Sequence, residues 1–288
     1  MKELLIEQLF KKYNFTQQQG LMLTSIEKVN LIKIDHCSQS REILYNRGIF
    51  LIASGENVGF LNSSEVILGN KHFVIVATAQ PAECETLLCT KPMKGVYIDL
   101  DLQRLQRINA ILDSEMEVDT TKTPKNVVTA NMTDEIDSVF ERLMKTLLND
   151  EESKILGDQI IDELYYRIIK TPMGSHLMQL STQLTHFSRI SNVIDEIQNS
   201  LDDEINIDDL AAKVDMQRAN FHKKFKEIYN DSPIQYIKKI RLNKARHYIE
   251  FEKMKVIDAA SKVGYESPNQ FSREFKRHFG VSPSEVKK

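Results

Sequence analysis

The feature that most constrains this chain is a degenerate duplication near its C-terminal end. One copy reads IDDLAAKVDMQRANFHKKFKEIYNDSP (207–233), the other VIDAASKVGYESPNQFSREFKRHFGVSP (256–283). Phe221, Phe225, Lys226, Ser232 and Pro233 recur as Phe271, Phe275, Lys276, Ser282 and Pro283, 50 residues further on. Ala211, Lys213 and Val214 recur as Ala260, Lys262 and Val263 at an offset of 49, so the one-residue slip falls in the intervening turn. Self-similarity of this kind predicts two copies of one supersecondary unit.

Each copy has the same physical grammar. A short helix starts near Ile207 or Val256 and buries Leu210, Ala211 and Val214, or Ala259, Ala260 and Val263. The small alanines let a second helix approach closely. A turn follows, at Asp215-Met216 or Gly264-Tyr265-Glu266. The second helix places Phe221, Phe225 and Ile228, or Phe271, Phe275 and Phe279, on one apolar face. Ser267 before Pro268 is a start signal, a capping hydroxyl followed by proline at the first helical position. The opposite face presents Arg218, Ala219, His222, Lys223 and Lys226 in one copy, and Asn269, Ser272, Arg273 and Lys276 in the other. A short helix, a turn and a second helix with a basic and amide face is the pattern of a helix-turn-helix, over about 207–229 and 256–279. Arg, Lys, Asn and His have the donors that base edges in a major groove require.

Between the copies, SPIQYIKKIRLNKARHYIEF (232–251) has the spacing of one continuous helix. About 18 residues span roughly 27 Å, against the roughly 34 Å between successive major grooves on one DNA face. Its Lys238, Lys239, Lys244 and Arg246 have two readings, phosphate contact or solubility. With Lys226 and Lys276, Lys238 and Lys239 form the expected phosphate-contact set.

The rest of the chain is of another kind. With 288 residues and 41% hydrophobic content it is large enough for two domains, expected at 1–180 and 181–288. VNLIKI, IFLIAS, EVILG, HFVIVAT and GVYIDLDL, between 29 and 102, are short β-branched and aromatic runs separated by turn residues. They predict an antiparallel sandwich or small barrel, because the intervals are too short for crossover helices. Residues 1–20 read as an amphipathic helix. After Asp101, Leu102, Leu105, Ile108 and Leu112 share a helix face. Residues 113–131 read as a loop. Helices follow through Ile136, Val139, Phe140, Leu143 and Leu147 behind a Thr133 cap, and through Ile160, Ile161, Leu164, Tyr165 and Ile168. This pair reads as core packing or as a dimer interface. Pro172 and Gly174 mark 171–189 as a boundary. The fold class is therefore α+β, with an all-α C-terminal domain.

The net charge of -3 conceals an asymmetry. Residues 205–288 carry 18 Lys and Arg against 11 Asp and Glu, a net of +7, while 1–204 carry 20 against 30, a net of -10. A basic third on an acidic body fits a nucleic-acid-binding module, or an unevenly charged surface. Three cysteines cannot close a disulfide framework and no apolar run approaches a membrane span, so a cytoplasmic protein is expected.

The C-terminal hundred residues resemble the DNA-binding domain of the AraC/XylS family of transcription regulators. The strings that carry the resemblance are IDDLAAKVDMQRANFHKKFKEIYNDSPIQYIKKIRLNKAR and VGYESPNQFSREFKRHFGVSP. GIFLIASGENVGF, GVYIDLDLQRL and ELYYRIIKTPMGSHLMQL are similar to a subgroup whose N-terminal domain is a cupin-like β-barrel followed by helices. The resemblance implies base contacts from Ala219, His222 and Lys223 in the first motif and from Asn269 and Arg273 in the second. Ala219 offers only a methyl group, which shifts reading toward Arg218, His222 and Lys223. The resemblance also implies double-stranded promoter DNA and RNA polymerase as partners, a small effector, a homodimer, and activation as the outcome.

The rival reading is a small-molecule-binding or metal-dependent barrel whose helical tail serves as an interaction module. His36 and His72 are isolated, and His176 and His186 lie ten apart, so no metal and no cofactor is expected. Cys84 and Cys89, five apart with Cys37 remote, read as buried inert thiols or as a thiol sensor for the effector. No Walker loop, Gly-x-Gly-x-x-Gly or Gly-x-Ser-x-Gly is present, so nucleotide hydrolysis and acyl transfer have no support and no enzyme is expected.

Overall fold

The computed structural model describes residues 1–17, 19–34, 41–61, 64–89, 91–112, 126–181, 186–199, 201–203 and 205–286. They form two compact units. One is Met1–Arg41, Asn46–Thr78 and Glu83–Ser188; the other is Arg189–Lys288 with Glu42–Tyr45 and Ala79–Ala82.

The N-terminal part is α+β. After helix α1 (Lys2–Lys12) come strands β1 (Gly20–Leu23), β2 (Val29–Ile34), β3 (Arg41–Tyr45), β4 (Gly48–Ser54), β5 (Glu56–Leu61), β6 (Ser64–Gly69), β7 (His72–Val76), β8 (Gln80–Cys89) and β9 (Met93–Asp99). Helix α2 (Leu102–Leu112), strand β10 (Val127–Asn131) and helices α3 (Asp134–Leu147), α4 (Asp150–Ile169) and α5 (Gly174–Ser181) complete it. One sheet has the order β1-β2-β9-β4-β7-β10, the other β3-β8-β5-β6. The described registers are antiparallel, as the short intervals required. β4 lies between β9 and β7, and all seven of its residues are buried. That is why GIFLIAS is an unbroken apolar run rather than an alternating one.

Local signals account for the helices. The Thr133 hydroxyl accepts from the Ile136 amide at 3.3 Å, and Asn149 Oδ1 accepts from Glu151 and Glu152 at 2.9 and 3.2 Å. Ile136, Val139, Phe140, Leu143 and Leu147 are fully buried, and Leu164, Tyr165 and Ile168 likewise. The stripes of α3 and α4 thus serve the chain's own core, which decides between the two readings of that pair. The Arg104 guanidinium ties α2 to α4 through Asp158 and Asp162, each at 2.7 Å.

Four expectations need correction. The expected loop 113–131 contains β10, which pairs with β7 from Val127↔Val76 to Asn131↔His72; 113–125 lie outside the described residues. The turn residues expected after IFLIAS reduce to Gly55, whose φ of 87° makes the corner between β4 and β5, and Glu56 already begins the next strand. The boundary stretch 171–189 holds α5, with Leu177 and Met178 buried and the helix packed on α2 and α4. The first helix ends at Lys12, and β1 begins at Gly20.

The C-terminal unit is helical: α6 (His186–Asn199), α7 (Ile207–Lys213), α8 (Arg218–Tyr229), α9 (Pro233–Glu250), α10 (Val256–Lys262), α11 (Pro268–Phe279) and α12 (Pro283–Val286). Two clusters form its core. α6, α7, α8 and the start of α9 share one, around Ile194, Leu210, Phe221, Phe225 and Ile240. The rest of α9, α10 and α11 share the other, around Ala245, Ile249, Ala260, Phe271 and Phe275.

The α10–α11 turn depends on Gly264, at φ 78°. A Cβ there would meet the Leu201 carbonyl at 2.5 Å and Arg241 Nη2 at 2.9 Å. Gly264→Ala should therefore lower the stability of this unit by about 1–3 kcal/mol. Urea unfolding followed by helical ellipticity checks this; an unchanged midpoint would show that the turn tolerates a side chain.

Candidate nucleic-acid interface

The two copies fold alike. α7 and α10 have seven residues each, α8 and α11 twelve each. Position by position, α8 and α11 share one burial pattern: three exposed residues, a buried Phe, then half-buried, exposed, half-buried, a second buried Phe, two exposed and two half-buried. Phe221, Phe225, Phe271 and Phe275 have no exposed surface. Their rings pair at 5.6 Å in α8 and 5.4 Å in α11.

The outward face of each helix then follows. Arg218, Ala219, Lys223 and Lys226 are exposed on α8 and His222 is half-buried; Asn269, Arg273 and Lys276 are exposed on α11 and Ser272 is half-buried. Ala219 stands where Asn269 stands, Lys223 where Arg273 stands and Lys226 where Lys276 stands. No ion pair among the described residues engages Lys223, Lys226, Arg273 or Lys276. Arg273 Nε lies 3.4 Å from the Asn269 carbonyl, so the guanidinium runs along the helix. Arg218 reaches Asp208 of α7 at 2.9 Å, with both side chains more than half exposed. Such a pair contributes about 0–1 kcal/mol and yields readily to a phosphate or base. α11 is capped by Ser267, whose hydroxyl accepts from the Gln270 amide at 3.3 Å; α8 starts from Gln217 with no side-chain cap.

The linker α9 has the expected length, 18 residues, with Ser232 at its cap and Pro233 following. Its basic residues engage other groups of the bundle. Lys238 Nζ pairs with Glu274 at 3.1 Å. Lys239 pairs with Asp231 at 2.8 Å. Lys244 lies 5.7 Å from the Tyr248 ring centroid, and burial pushes its ammonium below the usual lysine range. Arg246 lies over the Phe279 ring at 4.8 Å and bonds Glu250 at 3.3 Å.

Sequence reasoning missed the acid that organises the second motif. Glu274 accepts from Lys238 Nζ at 3.1 Å, Tyr265 Oη at 2.9 Å and Gln270 Nε2 at 3.4 Å. Burial pushes its carboxyl up, but the bonds from Lys238, Tyr265 and Gln270 outweigh this and hold it below the usual carboxylate range. The visible signal was an acid where the first copy has Lys224.

The other candidates are placed only in part. His36 and Cys37 lie outside the described residues. Cys84 and Cys89 sit on β8, in register with Leu61 and Asn57, but their side chains lie outside the described residues. His72 begins β7 half-buried; His176 and His186 fall in α5 and at the start of α6. Among the described residues no helix is long and apolar enough to cross a membrane.

The depressed Glu274 carboxyl gives a signed pH dependence. Its contribution to stability is complete above the ordinary carboxylate pKa and is lost as pH falls from there through the lowered folded value. Glu274→Gln should narrow its stability deficit relative to the parent chain across that window, and denaturant melts at stepped pH measure it. A deficit independent of pH would show that the carboxylate charge does not contribute.

Comparison with known proteins places these features. Residues 25–176 match the family profile described as the AraC-type transcriptional regulator N-terminus, and residues 210–288 match a helix-turn-helix domain. The HTH-type transcriptional regulator GbdR of Pseudomonas aeruginosa is 26% identical over 142 residues, 49% of this chain and 39% of that protein. The lactose operon transcription activator of Staphylococcus xylosus is 26% identical over 163 residues, 56% of this chain and 58% of that protein. The chain thus matches 39% to 58% of the length of these relatives. The structure of ToxT from Vibrio cholerae with an unsaturated fatty acid bound has a TM-score of 0.62 at 14% identity, over 94% of this chain and 96% of that one, a likeness of fold. With the N-terminal profile spanning more than half of the sequence and the tandem motif following it, the chain belongs to the family of AraC-type transcriptional regulators.

Proposed function

We propose that this protein is a sequence-specific DNA-binding transcription regulator, an activator, that reads two adjacent major-groove segments with α8 and α11. The observation that carries the reading is the shared burial pattern of the two helices, which turns a basic and amide face outward twice. Base contacts are assigned to Arg218, Ala219, His222 and Lys223 on α8 and to Asn269, Ser272 and Arg273 on α11. Lys226 and Lys276, near the helix C-termini, take phosphates. Lys239 joins them by exchanging Asp231 for a phosphate oxygen. We take the two sheets of the N-terminal part to close as a cupin-like barrel that receives a small effector, with Cys84 and Cys89 as a candidate thiol sensor there. ToxT, similar in fold, binds an unsaturated fatty acid, which supports a small effector without naming it. An effector acts only through different affinities for two states of the protein. RNA polymerase and a second copy of the chain are the remaining partners, and the cytoplasm the compartment.

Base and phosphate roles separate by experiment. Arg273→Ala should abolish preference at one base pair, a loss of about 1–3 kcal/mol. Lys276→Ala should weaken all duplexes about equally and reduce the salt slope by about one ion. Binding-site selection followed by salt-titrated affinity measures both. If both variants select and bind the same sites as the parent chain, the docking face lies elsewhere.

A further inference from the structure

Helix α9 serves two cores. Its first half gives Tyr236, Ile237 and Ile240 to the core of the first motif, and its second half gives Leu242, Ala245 and Ile249 to that of the second. Among the described residues these are separate clusters, joined through the one helix that both share. Polar contacts cross as well. Lys238 stands on the half of α9 that packs with the first motif, yet its ammonium reaches Glu274 on α11. Arg241, one turn further on, gives Nη2 to the Asp203 carbonyl at 3.0 Å, ahead of the first motif, while its guanidinium lies beside Gly264 in the second.

Glu274 is suited to such a junction. Its side chain is 15% exposed and Lys238 is 28% exposed, so the pair is partly withdrawn from water. Removing one member leaves the other charge without compensation. The carboxylate also accepts from Tyr265 in the α10–α11 turn, so one group joins α9, the turn and α11. The first motif is built differently at this position. Its equivalent position, Lys224, pairs with Glu227 along its own helix at 2.7 Å.

We propose that the Lys238–Glu274 pair is a lock between the motifs, fixing the direction in which α11 leaves the linker helix. The proposal rests on the DNA-binding reading and makes both side chains positioning residues. Neither touches DNA; each places Asn269 and Arg273 against their base edges. Recognition tolerates little displacement of the groups that make it, so a small rotation of α11 is enough to blur its half-site.

The experiment uses the full chain and the duplex it selects, with Lys238→Met, Glu274→Gln, the double variant and the charge-swapped pair Lys238→Glu with Glu274→Lys. Each single variant should flatten base preference about tenfold at the half-site read by α11, the size of one misplaced base contact. The half-site read by α8 and the salt slope should stay as in the parent. The double variant should be no worse than either single one, and the charge swap should restore part of the preference. Without DNA, hydrogen exchange should quicken in α11 and not in α8. A salt slope reduced by about one ion in Lys238→Met would make Lys238 a phosphate contact and overturn the lock. Equal losses at both half-sites, or additive losses in the double variant, would also overturn it. If the parent chain selects no sequence, the DNA-binding reading falls, and unchanged α11 exchange in the variants would then sink the lock separately.

Discussion

Which side of α8 and α11 meets water is decided by two phenylalanines on each. Phe221 and Phe225, like Phe271 and Phe275, are four residues apart, so their rings lie on one flank and disappear into the core. Each fully buried ring is worth about 1.5–3 kcal/mol of transfer free energy, far more than any exposed charge contributes. Tyr236 meets Phe225 edge-on at 5.3 Å, and Tyr265 meets Phe271 at 5.2 Å, which fixes the rotation of each helix about its axis. Once the rings are seated, residues two before and two after the first ring have nowhere to go but out. The fold dictates which positions face outward; the chemistry at those positions is where recognition enters.

That logic explains what the sequence disclosed. Helix faces were legible because they repeat every three or four residues within one element, and the duplication showed the same face twice. Thr133 and Ser267 were legible as caps because the signal is a hydroxyl next to a helix start. The segments VNLIKI, IFLIAS, EVILG, HFVIVAT and GVYIDLDL supplied β2, β4, β6, β7 and β9 because each is densely apolar. β10 was not legible: Val127–Asn131 is short, and its reason to be a strand is β7, some fifty residues earlier in the chain. α5 was hidden for a related reason. Pro172 and Gly174 do end α4, but Leu177 and Met178 are recruited by α2, which no local pattern records.

The site shows the same division. Periodicity exposed the outward residues of α8 and α11, since each belongs to a single helix. It could not expose Lys238 and Glu274, whose contact joins residues 36 apart across two turns. Read along α9, Lys238 is one more basic residue; read along α11, Glu274 is an acid among bases. Only their meeting gives either a meaning. The repeat still held a clue, because position 274 reverses the charge of its counterpart Lys224 while the rings on either side, Phe271 and Phe275, match Phe221 and Phe225.

The linker also revises what the regional charge implies. A net of +7 over residues 205–288 suggests a broadly positive surface. Yet Lys238 and Lys239 are paired with acids, Lys244 is partly withdrawn from water over Tyr248, and Arg246 lies over Phe279. These cations support the bundle, and their field is partly cancelled where it arises. Among the described residues, Lys223 and Lys226 on α8 and Arg273 and Lys276 on α11 are exposed and engaged by no ion pair, beside the side chains assigned to base edges. A module arranged this way gains less from diffuse attraction to any duplex and more from correctly seated helices. Its discrimination between sites therefore depends on how firmly the two helices are held relative to each other, and hence on the polar contacts that α9 makes across the junction.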